Sequence, residues 1–492
     1  MHSRLAIILF MLSIFYPSMS KSGLPVTKIL YHADKSQETS SRPYNFTPTW
    51  KSLDSRPLPE WYDKAKIGIK FAWGVFSVPS FHGEWFWYDW KTYKYPDVVS
   101  FMRDNYPPNF TYQDFASDFT AQFYNTSEWV DLIEKYGAKY VVFNGKHHEG
   151  YTMYPSKYSF GWNSVDVGSG RDLLGELATE LRQRRNDIKF GIYHSWYEFY
   201  NPLYLLDKKN GFNTSEFVER KTYPELIEAV MSYKPEIIWS DGDWEAEEGY
   251  WKSKEFLAWL YNSSPVKNTV VVNDRWGRGT GCKHGGYFNC QDRYNPGVLQ
   301  PHKWENVLSV DTISWGYRRN ALVQDYHTTQ ELIMQMVMTV SCGGNFLLNI
   351  GPTREGMIPP ISQERLVQIG MWLRINGDAI YDTIPWTRAQ NDYVSPGVWY
   401  TYKPRENKLF AILLETNWPK EGQLVLGSVD SKMMKISSVG IYGVLDKGEK
   451  LLAWLPCVEG GGCKDGGIIV TLPNIRPNSR NRWGWVLIIH YV

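Results

Sequence analysis

The chain has 492 residues, 43% of them hydrophobic and 16% aromatic, with 23 Trp and 33 Tyr and a formal net charge of +1 at pH 7. That length exceeds one ordinary domain and calls for two or three, one of them large. The near-zero charge excludes long-range attraction to nucleic acid or anionic membranes, and a mean hydropathy of −0.41 excludes a polytopic membrane protein.

Residues 1–20 read as a secretory signal peptide. His2 and Arg4 precede an apolar stretch from Leu5 to Tyr16, and Ser18 and Ser20 supply small residues for cleavage. No later segment offers about twenty uninterrupted apolar residues, so no membrane span is expected. Five N-x-S/T sequons, at Asn45, Asn109, Asn125, Asn213 and Asn262, are candidate glycosylation sites and fit a secretory route to the lysosome or the exterior. Residues 21–55, polar and without a clear period, read as an N-terminal extension.

Between 56 and 388 short apolar runs alternate with amphipathic segments. The runs predict strands over 67–73, 140–143, 190–194, 236–240, 269–273, 307–310 and 346–350. The helical segments include SEWVDLIEKYG, RDLLGELATELRQR, YPELIEAVMSY, KEFLAWLYN, TQELIMQMVMTV and QERLVQIGMWLRING. Several open on Ser, Thr or Asp and close on Gly or Asn, as capped helices do. Such a series predicts an α/β fold, a (β/α) barrel, with an open doubly wound sheet as the alternative. From 389 to 492 the pattern becomes short β runs separated by Gly, Pro and Asn turns, which predicts a C-terminal antiparallel β-sandwich.

Polar clusters fall where the predicted barrel strands end, the face on which such barrels meet ligands. EIIWSDGDW (236–244) ends a buried run on Asp241 and Asp243, flanked by Trp239 and Trp244. A carboxylate among tryptophans suits sugar chemistry: the rings stack on C–H faces and the carboxylate attacks an anomeric carbon. NGKHHEG carries His147 and His148, which lack the HExxH spacing of a zinc site and make better sense as hydrogen-bond donors to vicinal hydroxyls. Tyr193 and His194 end the third run. Further on stand NDRWG (Asp274, Arg275), CQDRY (Asp292, Arg293), HKWE (His302, Glu305) and SWGY (Trp315). Each has a plainer reading, a capping turn or a surface ion pair, and Glu84 in FHGEWFWYDW could lie exposed. Repeated on one barrel rim, such clusters mark an active-site face.

Of five cysteines, Cys282 and Cys290 flank a Gly-rich loop and Cys457 and Cys463 flank VEGGG, each pair close enough to form a disulfide in an oxidising compartment. Cys342 is left as a buried free thiol in a stretch that reads as a strand.

The chain resembles the retaining α-L-fucosidase family of the animal type. The segments that carry the likeness are RPLPEWYDKAKIGIKFAWGVFSVPSF, EWFWYDW, KHHEGYTMY, WSDGDW, NDRWG, CKHGGYFNCQDRYNPG, HKWENVLSVDTISWGYRR and SCGGNFLLNIGPTREG. The resemblance implies Asp241 as nucleophile and either Asp292 or Glu305 as general acid/base. It also implies sugar contacts from Glu84, Trp85, His147, His148 and Trp239, with Tyr193, His194 and Trp315 as further candidates. No cofactor or metal, fucosylated glycans as partners, a homo-oligomer and a lysosomal or secreted location complete the expectation. One departure stands out: the family's first barrel strand normally ends in His-Trp-Gly, whose histidine bonds the sugar, and here Ala72 takes that place. Losing one such bond costs about 1–3 kcal/mol, so a working but weakened fucosidase is expected. A weak or inactive fucose-binding, lectin-like glycoprotein is the alternative.

Overall fold

The computed structural model describes residues 45–414, 422–457, 463, 466–474 and 482–492, so the expected signal peptide and most of the extension lie outside the described residues. Seven parallel strands form the larger sheet: β1 (Ile67–Phe71), β2 (Tyr140–Lys146), β3 (Lys189–Ser195), β4 (Ile237–Asp241), β5 (Val271–Val272), β6 (Trp304–Ser309) and β7 (Gly344–Ile350). Their order, β5-β4-β3-β2-β1-β7-β6, is the cyclic succession of a barrel, without the reversal of a doubly wound sheet. The gap between β5 and β6 is bridged by residues 286–288. There the Gly286 and Tyr287 N–H groups donate to Val272 O, and Phe288 exchanges bonds with Lys303 and Glu305.

Helices Thr126–Tyr136, Leu173–Arg184, Tyr223–Tyr233, Ser253–Asn262, Thr329–Ser341 and Pro360–Asn376 occupy the predicted amphipathic segments. Their ends follow the cap logic. Asn125 accepts from the Ser127 and Glu128 N–H groups, and Gly137 closes the same helix at φ 92°, a left-handed conformation that only glycine adopts freely. Cys342 is buried and unpaired, but it caps the Thr329–Ser341 helix rather than lying in a strand. The TVSC stretch is apolar enough for either element, and the Thr328–Glu331 capping box decides for helix.

Pleating sorts each barrel strand into two faces. On β1, Ile67, Ile69 and Phe71 join the core under the helices, which leaves Gly68, Lys70 and Ala72 facing the barrel interior. Tyr140, Val142, Tyr193, Ile237, Trp239, Val307 and Leu347 fill that interior. Glycine is required at 68, where a Cβ would sit 2.3 Å from the Tyr140 ring.

Downstream lies an antiparallel sheet in the order β13-β12-β16-β10-β9-β8, with a three-stranded partner, β11-β15-β14. Its members are β8 (Ile384–Pro385), β9 (Val398–Lys403), β10 (Lys408–Leu413), β12 (Ile436–Tyr442), β13 (Glu449–Leu452) and β16 (Trp485–Tyr491); the partner has β11 (Gln423–Leu426), β14 (Trp454–Pro456) and β15 (Ile468–Thr471). Leu409, Ala411, Leu413, Leu487 and Ile489 pack toward the smaller sheet. The alternate residues Phe410, Ile412, Val486 and Ile488 share a core with Leu332, Met336, Ile369 and Trp372 of the barrel helices. That two-sided burial gives these strands their continuous apolar runs.

Candidate active site

The inward residues of β4 climb from Ile237 through Trp239 to Asp241, so the WSDGDW carboxylate sits where the barrel opens. Asp241 is held on both oxygens: the Tyr193 hydroxyl donates to Oδ2 at 2.7 Å and Arg275 Nη1 to Oδ1 at 2.8 Å. The other Arg275 terminal nitrogen binds Asp292 Oδ1 at 2.5 Å, so one planar guanidinium forks between the two carboxylates. That fork lies over the Trp239 ring, 4.7 Å from its centre. Burial pushes the Asp241 carboxyl up, but the Arg275 charge, the Tyr193 and Arg275 hydrogen bonds and the Lys70 charge outweigh it and hold the group below the usual aspartate value. It is an anion at neutral pH.

Asp292 is half exposed, on a loop built by two devices. The Cys282–Cys290 disulfide closes its base, and Asp274 accepts from the backbone N–H groups of Cys282, Asn289 and Cys290 at 2.8, 3.0 and 2.9 Å. The second bridge, Cys457–Cys463, is also formed.

Across the pocket Glu84 is buried rather than exposed. Its Oε2 accepts from Ser314 Oγ and from the Trp315 and Gly316 N–H groups at 2.8–3.0 Å. His148 Nδ1 lies 2.7 Å from Ser195 Oγ, and that hydroxyl already donates to Tyr197 O, so the ring must donate from Nδ1. Burial, with the His147 and Lys70 charges behind it, holds His148 well below the usual histidine value, so it is neutral. Its bare Nε2 points toward Asp241 Oδ2, 3.7 Å away. His147 likewise turns Nδ1 to Glu149 Oε2 at 3.1 Å. Neutral His148 therefore presents a lone pair at Nε2, an acceptor where a donor to sugar hydroxyls was expected. Trp85, Trp315 and Ala72 also line the pocket. Among the described residues no three His, Cys, Asp or Glu side chains converge as metal ligands would.

A family model described as alpha-L-fucosidase matches residues 32–378, and one for the alpha-L-fucosidase C-terminal domain matches 390–490. The chain belongs to the α-L-fucosidase family. It is 51% identical to human plasma alpha-L-fucosidase over 443 residues, covering 90% of this chain and 92% of the relative. Identity to human tissue alpha-L-fucosidase is also 51%, over 448 residues, covering 91% and 92%. The crystal structure of Thermotoga maritima alpha-fucosidase in complex with fucose is 30% identical and superposes with a TM-score of 0.74, covering 90% of this chain and all of that one. This fucosidase is thus a glycosidase, and no helix among its described residues is long and apolar enough to cross a membrane.

Two expected site residues lie elsewhere. Glu305 is the second residue of β6, near the barrel floor and fully buried, where Tyr62 and Tyr140 hydroxyls donate to Oε2 at 2.8 and 2.7 Å and Trp239 Nε1 to Oε1 at 2.9 Å. Burial raises its carboxyl above the usual glutamate value while these donors and Asn289 pull it back. Glu305 thereby holds the indole of Trp239, which lines the pocket. His194 follows Tyr193 on β3, and the pleat turns it to the opposite face of the sheet. There it meets Thr222 Oγ1 at 3.2 Å, beside the buried ion cluster in which Lys146 binds Glu198 and Glu225.

Of three further pocket residues of the fucosidase, the sequence names Arg275 and Trp244 within motifs without assigning them a role, and leaves Lys70 unnamed. Arg275 was visible in NDRWG, but its fork depends on a loop seventeen residues downstream in the chain. Trp244 lies at the rim, half exposed, 6.3 Å from Trp85 ring to ring. Lys70 had the clearest signal, a lone charge inside the apolar run IGIKFAWG.

Proposed function

We propose that this fucosidase is a retaining exo-enzyme acting on terminal α-L-fucose of glycans, with Asp241 as nucleophile and Asp292 as general acid/base. The observation that supports this most is the Arg275 fork: two carboxylates face one small pocket, one buried and held anionic, the other half exposed at the mouth where a leaving group and water would pass. In the first step an Asp241 oxygen attacks the anomeric carbon while Asp292 protonates the departing glycosidic oxygen, leaving a fucosyl ester on Asp241. In the second, Asp292 takes a proton from water, whose oxygen attacks the same carbon and releases Asp241. Glu84 and His148 Nε2 accept from fucose hydroxyls, His147 Nε2 faces the same hydroxyls, and Trp85 and Trp315 cover the apolar faces of the sugar. The signal-like N-terminus and the two disulfides support a secretory route ending in the lysosome or outside the cell.

Azide separates the roles. With an activated aryl α-L-fucoside, Asp241→Gly should lose turnover by several orders of magnitude and Asp292→Gly should form fucosyl azide rapidly. Azide accepted from the ester intermediate gives the α product, which NMR distinguishes. A Glu305 variant rescued by azide, with Asp292→Gly unaffected, would transfer the acid/base role to Glu305.

A further inference from the structure

One charged group of the pocket has no assigned task. We propose that Lys70 is a sugar-binding, specificity-determining residue, whose ammonium reaches past Ala72 and donates a hydrogen bond to a ring hydroxyl of the bound fucose.

The position follows from the strand. Lys70 and Ala72 are inward neighbours on β1, about 6–7 Å apart along the strand, a span comparable to a lysine side chain that leans toward the barrel mouth. A methyl group at 72 leaves that path open, and both residues line the cavity. Lys70 is 6% exposed. Its Nζ is surrounded by ring faces: Tyr193 at 4.4 Å, Trp239 at 5.2 Å and Trp315 at 5.2 Å. Cation–π attraction of this kind holds an ammonium in place without consuming its N–H bonds.

The other charges of the cavity are matched. Asp241 takes Tyr193 and Arg275, Asp292 takes Arg275, and Glu84 takes Ser314 and two backbone N–H groups. Among the described residues Lys70 Nζ alone of these has no hydrogen-bond or ion-pair partner at bonding distance. A buried ammonium with three unused donors is costly, and the cost is recovered when a ligand accepts from it. Burial lowers its pKa to about 8, with Asp241, Asp292 and Glu84 working in the opposite direction and Arg275 adding to the fall. It remains a cation at neutral and acidic pH.

The same charges decide what kind of group it meets. Two cations, Lys70 and Arg275, face three carboxylates, Glu84, Asp241 and Asp292, so the cavity carries no surplus positive charge to attract a sulfate or carboxylate on the sugar. A neutral hydroxyl, the acceptor that the absent histidine at 72 would have met, is the group that fits. The two inner-strand residues thereby divide one job: alanine supplies the room and lysine the donor.

This inference rests on the pocket being the fucose site, and its test is separable from that reading. kcat/KM is measured for the unmodified enzyme and for Lys70→Met on 4-nitrophenyl α-L-fucoside and on its 2-, 3- and 4-deoxy analogues. Lys70→Met should lose about 10- to 100-fold on the parent substrate. On one deoxy analogue, whose missing hydroxyl is the partner, the two enzymes should differ by less than threefold. Lys70→Gln, which keeps a donor, should retain part of the discrimination. Adding Ala72→His to Lys70→Met should recover part of the loss. A loss of equal size on all four substrates, or no loss on any, overturns the proposal. Failure of the site reading would appear elsewhere, as turnover surviving in Asp241→Gly.

Discussion

Removing the Arg275 fork is the sharpest probe of how the two carboxylates are set. In Arg275→Met the side chain keeps its bulk over Trp239 but loses both ion-pair bonds. The bond to Asp241 is between groups 14% and 12% exposed, so it carries the usual weight of a charge-assisted hydrogen bond, about 1.5–3 kcal/mol. The bond to Asp292 reaches a carboxylate 49% exposed and is screened to about 0–1 kcal/mol. Together they place the loss at about 2–4 kcal/mol, or roughly 30- to 1,000-fold in kcat/KM. The pH profile supplies the second readout. Arg275 helps hold Asp241 below the usual aspartate value, and the nucleophile proposed for this residue must be ionised, so removing Arg275 raises that pKa and moves the acid limb of kcat/KM to higher pH. Arg275→Lys, with charge but no planar fork, should fall between the two in rate and shift the limb less. Stopped assays of 4-nitrophenyl α-L-fucoside hydrolysis from pH 3 to 8 measure both quantities. An unmoved acid limb in Arg275→Met, or full activity in either variant, would refute the reasoning.

Asp243, buried beside Asp241, has its pKa raised to about 6 by burial and by the Asp241 charge, against a bond from the Gly277 N–H. The native state therefore takes up a proton between pH 6 and about 4 that the unfolded chain releases, and stability rises as pH falls through that window. Asp243→Asn should melt above the parent at pH 7, by about 3 kcal/mol at most, with the gap closing by pH 4; a gap independent of pH would contradict the assignment. Glu305→Ala strands the Tyr62, Tyr140 and Trp239 donors in the barrel floor and should destabilise by about 3–5 kcal/mol, read as a fall in Tm. Glu305→Gln keeps an acceptor, and should retain turnover within about tenfold and ignore azide. Replacing Cys282 and Cys290 by serine leaves the three Asp274 bonds holding the loop backbone. The expected result is about a tenfold fall in kcat/KM through a looser Asp292, with a smaller effect on Tm; a collapsed Tm with unchanged turnover per folded molecule would show that the bridge serves stability alone.

Much of this enzyme was determined by its sequence alone, because the signals involved are local. Strand and helix spans follow from periods of two and 3.6 residues, helix ends from Asn125, Thr328 and Gly137, and the disulfides from cysteines a few residues apart. WSDGDW placed Asp241 at a strand end before any pairing was known. The tertiary structure decided what depends on depth, pleat phase and distant partners. Tyr193 and His194 are neighbours in sequence, and only the register of β3 in the barrel sends one to Asp241 and the other to an ion cluster behind the sheet. Asp292 and Glu305 are both acids after the same loop, yet one rises to the mouth while the other is the second residue of β6, near the floor, where four donors converge from distant parts of the chain. Lys70 reads in sequence as a misplaced charge in an apolar run. Its meaning comes from three aromatic rings on β3, β4 and the loop after β6, brought around it by closure of the barrel, a condition that no local pattern encodes.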